Sequence, residues 1–259
     1  KKNARSSKPT NAKDCPVLAK ALQEIAQTFP MKEADPSKYL GTQLRFETSH
    51  ATILVSVQSF IHDMAVDLDL LSLPKTRFPF SNDADHSYGE KDGYCSDDQK
   101  AYYLTAIGCL AWIVREQVIS FKGFHARLAQ YQAKPTLKWY RELRRTLKFI
   151  HDHVDSLHWV HSCDSLESVY NVYVDASHHD DLDTCGTTIG YVSFNSKSCL
   201  NARSKKKRQI LSVGTAGNEA RALHDPLNES IREFDLLRAA EFSVQLPLGL
   251  ISDNIAALS

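Results

Sequence analysis

Asp175, Glu219 and Asp253 are the residues whose type and setting point most directly to chemistry in this chain of 259 residues. Asp175 closes the apolar run VYNVYVD, Glu219 falls at the start of an amphipathic stretch beginning near Asn218, and Asp253 follows LGLIS. Carboxylates at one strand end, one helix start and a second strand end can converge at a single sheet edge, where hard oxygen donors hold Mg2+ or Mn2+. Two such ions about 4 Å apart activate a water and stabilise the leaving oxygen in phosphodiester cleavage. A plainer account exists for the same pattern. Aspartates often end strands, and glutamates open helices because the positive end of the helix macrodipole favours negative charge. Spacing alone leaves both readings open.

A second cluster is the basic run Arg203-Ser204-Lys205-Lys206-Lys207-Arg208. Neutralising several phosphates gives strong, salt-dependent affinity, so Arg203, Lys205, Lys206, Lys207 and Arg208 are candidate nucleic-acid contacts. The alternative is a solvated strand edge that lysines protect from further pairing. His151, His153, His158 and His161 lie near Asp152, but on a helix His151 and His153 point to different faces and no cysteine pair completes a tetrahedral zinc set. His178 and His179 follow Asp175 in a polar loop.

The elements that must position the carboxylates lie in the final third. SVYNVYVDAS, TTIGYVSFN and a third run through SVGTA read as strands, a helix follows over about Asn218 to Phe242, and LGLISD reads as one more strand. This order predicts an α+β domain with a sheet part antiparallel and part parallel. Upstream, residues 1–14 are basic and polar, as in a flexible arm. Leu18, Leu22, Ile25 and Phe29 share a helical face behind Asp14 and Pro16. Tyr39 to Phe46 and Ala51 to Val57 predict a hairpin, and Phe60, Ile61, Met64 and Leu68 return to helical spacing. The turn-rich, acidic stretch from Pro74 to Gly93 reads as a connection between two packed segments. Asp98 to Phe121 and Thr136 to Val154 predict long amphipathic helices.

Composition narrows the class further. Lysine plus arginine and aspartate plus glutamate both total 31, so no global field draws polyanions and any nucleic-acid binding must be local. Six cysteines occur without a C-x-x-C pair, and there is no apolar leader and no run long enough to span a bilayer. These features predict reduced thiols in a cytoplasmic or nuclear protein with no membrane partner.

At the same carboxylates the chain resembles a family, the RNase H region of the Pol polyprotein of copia-type LTR retrotransposons. VYVDASHHDD is similar to that family's first strand, with its leading catalytic Asp at Asp175. TTIGYVSFNSKSCLNARSKKKRQILSVGTAGNEARAL resembles the S-G-Y-x-x-x-L, W-x-S-K-K-Q and S-S-T-E-A-E-Y-x-A-L series, which implies Glu219 as the second carboxylate. LISDNIAAL resembles the strand ending in C-D-N-x-x-A, which implies Asp253 as the third. AYYLTAIGCLAWIVREQVISFKGFHARLAQYQAKPTLKWYRELRRTLKFIHDHVDSLHWVHS looks like the connection segment, and FPMKEADPSKYLGTQLRF with ATILVSVQSFIHDMAVDLDLL looks like the end of the reverse-transcriptase domain.

The resemblance implies an α+β chain: an arm over 1–14, a remnant of the end of the reverse-transcriptase domain over 15–80, a helical connection over 81–163 and an RNase H-like domain over 164–259. It also implies hydrolysis of the RNA strand of RNA:DNA hybrids with a two-ion Mg2+ or Mn2+ site, in which Asp175 bridges the ions and Glu219 and Asp253 each complete one side. The polymerase Y-x-D-D motif is absent from the sequence, so DNA synthesis is not expected of it. Arg221 stands where the family has a second acid. The family's last strand and fourth carboxylate would fall beyond Ser259, so a partner protein or second chain is expected to complete the domain. The competing expectation is a non-catalytic, domesticated module that binds nucleic acid or protein.

Overall fold

Two short β-prone runs and a four-residue link set the first element pair. In a computed structural model of the protein, β2 (Thr42–Glu47) and β3 (Thr52–Ser56) pair antiparallel from Gln43–Ser56 to Glu47–Thr52, with the short β1 (Lys38–Tyr39) outside β2. The structure describes residues 38–39, 41–47, 52–81, 90–157, 159–162, 168–176, 187–196, 198–207, 214–239 and 244–252, some of them as backbone only. The chain divides into two units, Lys1–Pro36 and Ser37–Ser259, and every described residue belongs to the second. The predicted arm and the helix over 17–29 lie outside the described residues.

Three helices expected from periodicity, with one shorter helix that was not, form a helical layer. α1 (Gln58–Asp67) is followed by α2 (Asp97–Glu116), α3 (Lys122–Ala129) and α4 (Leu137–Asp152). Ser96 starts α2 with a capping box: its hydroxyl accepts the Gln99 N–H and the Gln99 side chain accepts the Ser96 N–H. Such reciprocal bonds satisfy two of the donors that a helix start leaves unpaired. Expected to run on to Phe121, this helix stops at Glu116. Gln117, 1% exposed, turns inward instead: its amide oxygen accepts the Val57 N–H at 2.5 Å and its Nε2 donates to the Leu157 carbonyl.

One apolar core joins these helices, from Val57, Ile61 and Leu70 through Tyr103, Leu110 and Ile113 to Trp139, Leu143, Leu147 and Ile150. The 74–93 stretch therefore links elements that share a core, rather than two separately packed segments. The reason is visible on α4, whose polar side chains hold the preceding loop. Glu142 accepts the Ser81 N–H at 2.9 Å and the Ser81 hydroxyl at 2.5 Å, Asp152 accepts the Thr76 N–H, and Arg144, Arg145 and Thr146 donate to the carbonyls of Asp69, Phe78 and Pro79. Backbone groups that leave water need such partners.

Two four-stranded sheets complete the fold. β4 (Trp159–Ser162) pairs antiparallel with β3, giving the order β1-β2-β3-β4. In the second sheet β5 (Ser168–Ala176), β6 (Thr187–Asn195) and β7 (Ser198–Lys207) form an antiparallel meander. The 26-residue α5 (Gly214–Ala239) follows, and β8 (Val244–Ser252) returns parallel to β5, giving the order β7-β6-β5-β8. The chain is thus a mixed helix-and-sheet protein, as an α+β reading expects. The third strand of this sheet was expected to run through SVGTA; it is instead β7, which ends at Lys207, and Gly214 already belongs to α5. A polar run can form such a strand because β7 lies at the end of the sheet order, where one edge needs no apolar partner.

Candidate functional site

Alternation along β5 decides where Asp175 points. Tyr170, Val172 and Val174 are buried and Tyr173 and Asp175 are exposed, so the two sets occupy opposite faces of the sheet. α5 packs on the buried face, where its Glu233 accepts from the Tyr170 hydroxyl at 2.5 Å, the Ser193 hydroxyl at 2.7 Å and the Asn201 amide at 2.8 Å. One carboxylate thus ties three strands to one helix. Burial, and then the bond to Glu233, pushes the Tyr170 phenol above its ordinary range. Asp175 lies on the other face, next to the last residue of β5.

The register of the second sheet bears on the other two carboxylates. In the parallel pairing Val174 lies opposite Ser252. The residue before Asp175 is therefore beside the residue before Asp253, while Asp253 itself lies outside the described residues. Glu219 belongs to α5, but the helix starts four residues earlier than periodicity predicts, so Glu219 sits one turn in rather than at the first turn. The macrodipole effect falls off within the first turn, which weakens the plainer explanation for this residue. The Glu219 side chain is not among those described. Among the described residues no group of three His, Cys, Asp or Glu side chains is placed to share a metal ion, and that set includes only Asp175 of the three proposed ligands.

The β5–β8 pairing contains an irregularity between Val169–Gln245 and Asn171–Gly249. Pro247, which cannot donate to a ladder, lies within it. Gly249 permits the close approach that restores the register, because a β-carbon there would collide with the Asn171 side-chain amide. The alignment of the two strand ends near Asp175 depends on this passage.

The basic run on β7 alternates as well. Arg203 and Lys205 are exposed, while Ser204 and Lys206 are half-buried on the side that α3 packs against. Arg203 pairs with Glu229 of α5 at 2.8 Å, and Lys206 donates to Gln130 at 3.5 Å. Lys207 is described in its backbone alone and Arg208 lies outside the described residues. Of the histidines, His151 contacts Asp152 and stacks on His62, and His153 Nδ1 bonds the Phe149 carbonyl oxygen, so each serves the helical layer.

Sequence reasoning missed a second set of basic side chains, among which burial lowers the His125 pKa and so favours its neutral form. Arg115, Lys122 and His125 come from α2 and α3, yet they line a cleft together with Arg203 of β7. Their spacing carries no recognisable pattern, since three of them stand more than 75 residues before the fourth. Only the packing of α3 against β7 collects them. No helix among the described residues is long and apolar enough to cross a membrane. No protein-family model, curated protein or solved structure matches the chain.

Proposed function

We propose that the chain is a retrotransposon-derived, RNase H-like protein that hydrolyses the RNA strand of RNA:DNA hybrids, with Asp175, Glu219 and Asp253 as metal-binding carboxylates. The observation that carries this reading is the connectivity of the second sheet: a three-stranded antiparallel meander, then a helix, then a strand returning parallel beside the first. With Val174 opposite Ser252, this connectivity suits a site shared by the ends of the two strands. Ligands in such sheets gather where neighbouring strands end and their connections diverge.

Three carboxylates form a hard donor set that fits Mg2+ or Mn2+ better than a soft metal. When bound, such ions lower the pKa of a water and stabilise a leaving oxyanion. The chain's own part is to hold that centre and the duplex. Asp175 is exposed, so a phosphate can reach it without opening the core. An RNA strand in a hybrid offers 2′-hydroxyls across a wide, shallow groove, which permits selection of RNA without reading sequence. A non-catalytic nucleic-acid-binding module is the second reading, and the position of Asp175 on the face away from α5 favours it, because α5 carries Glu219.

Cleavage of a labelled RNA:DNA hybrid in Mg2+ or Mn2+ tests the proposal. The expected result is cleavage by the full chain that disappears in Asp175→Asn and in EDTA. Folded protein that leaves the hybrid intact, or cleavage that Asp175→Asn retains, would overturn it.

A further inference from the structure

Two adjoining clefts run along the seam between α3 and β7. The first, of about 300 Å3, is lined by Arg115, Lys122, His125 and Arg203; the second, of about 360 Å3, includes Arg127 and Lys206 in its wall. Ala126 and Ser204 line both clefts. Among the described residues no aspartate or glutamate lines either one. The described walls of the seam thus carry basic side chains in a chain whose acidic and basic residues are equal in number.

Carboxylates outside the described walls meet part of this charge, and Arg127 and Lys206 have interactions of their own. Glu116 meets Arg115 at 2.5 Å and Glu229 meets Arg203 at 2.8 Å, so these two arginines are partly neutralised. Lys122 differs, for its ammonium lies 3.4 Å from the neutral amide oxygen of Asn201. Half-burial pushes its pKa down, Arg203 adds to that, and Cys199 and Glu233 oppose it. A partly desolvated cation beside other cations gains most from an anionic ligand, because the local dielectric is low.

We propose that the seam binds consecutive phosphate groups, one in the cleft of Lys122 and the next in the cleft of Arg127 and Lys206. Phosphates could come from a nucleic-acid strand or a free polyphosphate. Phe80 and Phe124, which wall the second cleft and meet edge to face at 4.7 Å, favour the strand, since an apolar wall suits a sugar or base and serves a free anion little. The inference does not require hydrolysis. It is tested in EDTA, where the proposed nuclease is silent, so the two readings fail separately.

The experiment is fluorescence anisotropy of a labelled short oligothymidylate with the full chain at about 50 mM salt, with inorganic tripolyphosphate as a competing probe. Lys122→Gln is expected to weaken binding about tenfold. Lys100→Gln, which removes an equal charge from the exposed start of α2, is expected to change it less than about twofold. Should Lys122→Gln lower the melting temperature, Arg127→Gln and Lys206→Gln in the second cleft carry the test. Oligonucleotide binding sensitive to these residues assigns the seam to a strand; binding of tripolyphosphate alone, with the same sensitivity, assigns it to free polyphosphate. Binding of neither probe, or equal losses in Lys100→Gln and the cleft variants, overturns the proposal.

Discussion

Replacing Glu233 with alanine should be among the most costly single changes in the second sheet. Its carboxylate accepts three hydrogen bonds, from Tyr170 at 2.5 Å, Ser193 at 2.7 Å and Asn201 at 2.8 Å. Tyr170 and Ser193 are 0% exposed, so in Glu233→Ala their hydroxyls lose a partner where water cannot replace it. A buried donor left unsatisfied costs about 1–3 kcal/mol. Asn201 can fall back on the Tyr191 hydroxyl, 3.4 Å away, and contributes less. The expected loss is then about 3–5 kcal/mol. Glu233→Gln keeps one acceptor but turns an amide donor toward other donors, and should cost about half as much. Urea unfolding followed by circular dichroism measures both, as a lower midpoint at unchanged slope. Tyr170→Phe should cost about 1 kcal/mol in the parent and less in Glu233→Ala, where only the Ser230 and Ser193 hydroxyls remain beside the phenol. A loss below about 1 kcal/mol for Glu233→Ala would refute the clamp. The same bond favours the neutral phenol in the folded state, so its contribution is complete below the ordinary tyrosine range and is lost as pH rises through the raised value.

Further outcomes follow from other contacts. Burial pushes the Asp152 carboxyl up, but Lys148 at 2.6 Å, the Thr76 N–H and His151 together bring it below its ordinary 3.8. Its stabilisation is therefore present above that value and disappears as pH falls through the depressed one, and Asp152→Asn should flatten the acid limb of a melting-temperature profile. Gly249→Ala should destabilise by about 1–3 kcal/mol in chemical denaturation, and Asn171→Ala should rescue it, since the collision is with that side chain. Ser96→Ala removes the hydroxyl that caps α2 and should cost about 1 kcal/mol in the same assay, with Gln99→Ala adding little on top. Leu143→Ala, in the middle of the helical core, should cost about 2–5 kcal/mol and lower the thermal midpoint accordingly.

Much of the second sheet could be read directly from residue order. The alternation of Tyr170, Val172 and Val174 against Tyr173 and Asp175 specifies a strand and also its two faces. The hairpin of β2 and β3 and the helical faces of α2 and α4 were equally local. The basic run from Arg203 can be read as a solvated strand edge, but the third strand is carried on through SVGTA, because the pairing that ends β7 at Lys207 is set by β6 and by the end of the sheet order rather than by local pattern. β4 went unread because its partner is β3, about a hundred residues earlier, and no local period records such a pairing.

The candidate site divides the same way. Residue types and neighbours singled out Asp175, Glu219 and Asp253, since carboxylates at element ends are a local pattern. The pairing of Val174 with Ser252, by contrast, depends on how β8 returns beside β5 past Pro247 and Gly249. Amphipathic spacing gives α4 an arginine-bearing face but does not show that Arg144 and Arg145 bond carbonyls more than sixty residues earlier in the chain. Lys122 carries no local signal, and its place in a cleft follows only from the packing of α3 against β7. Periodicity is a property of neighbouring residues, so it travels with the chain. Desolvation and the sharing of a cleft depend on which distant surfaces meet, and those are properties of the folded molecule.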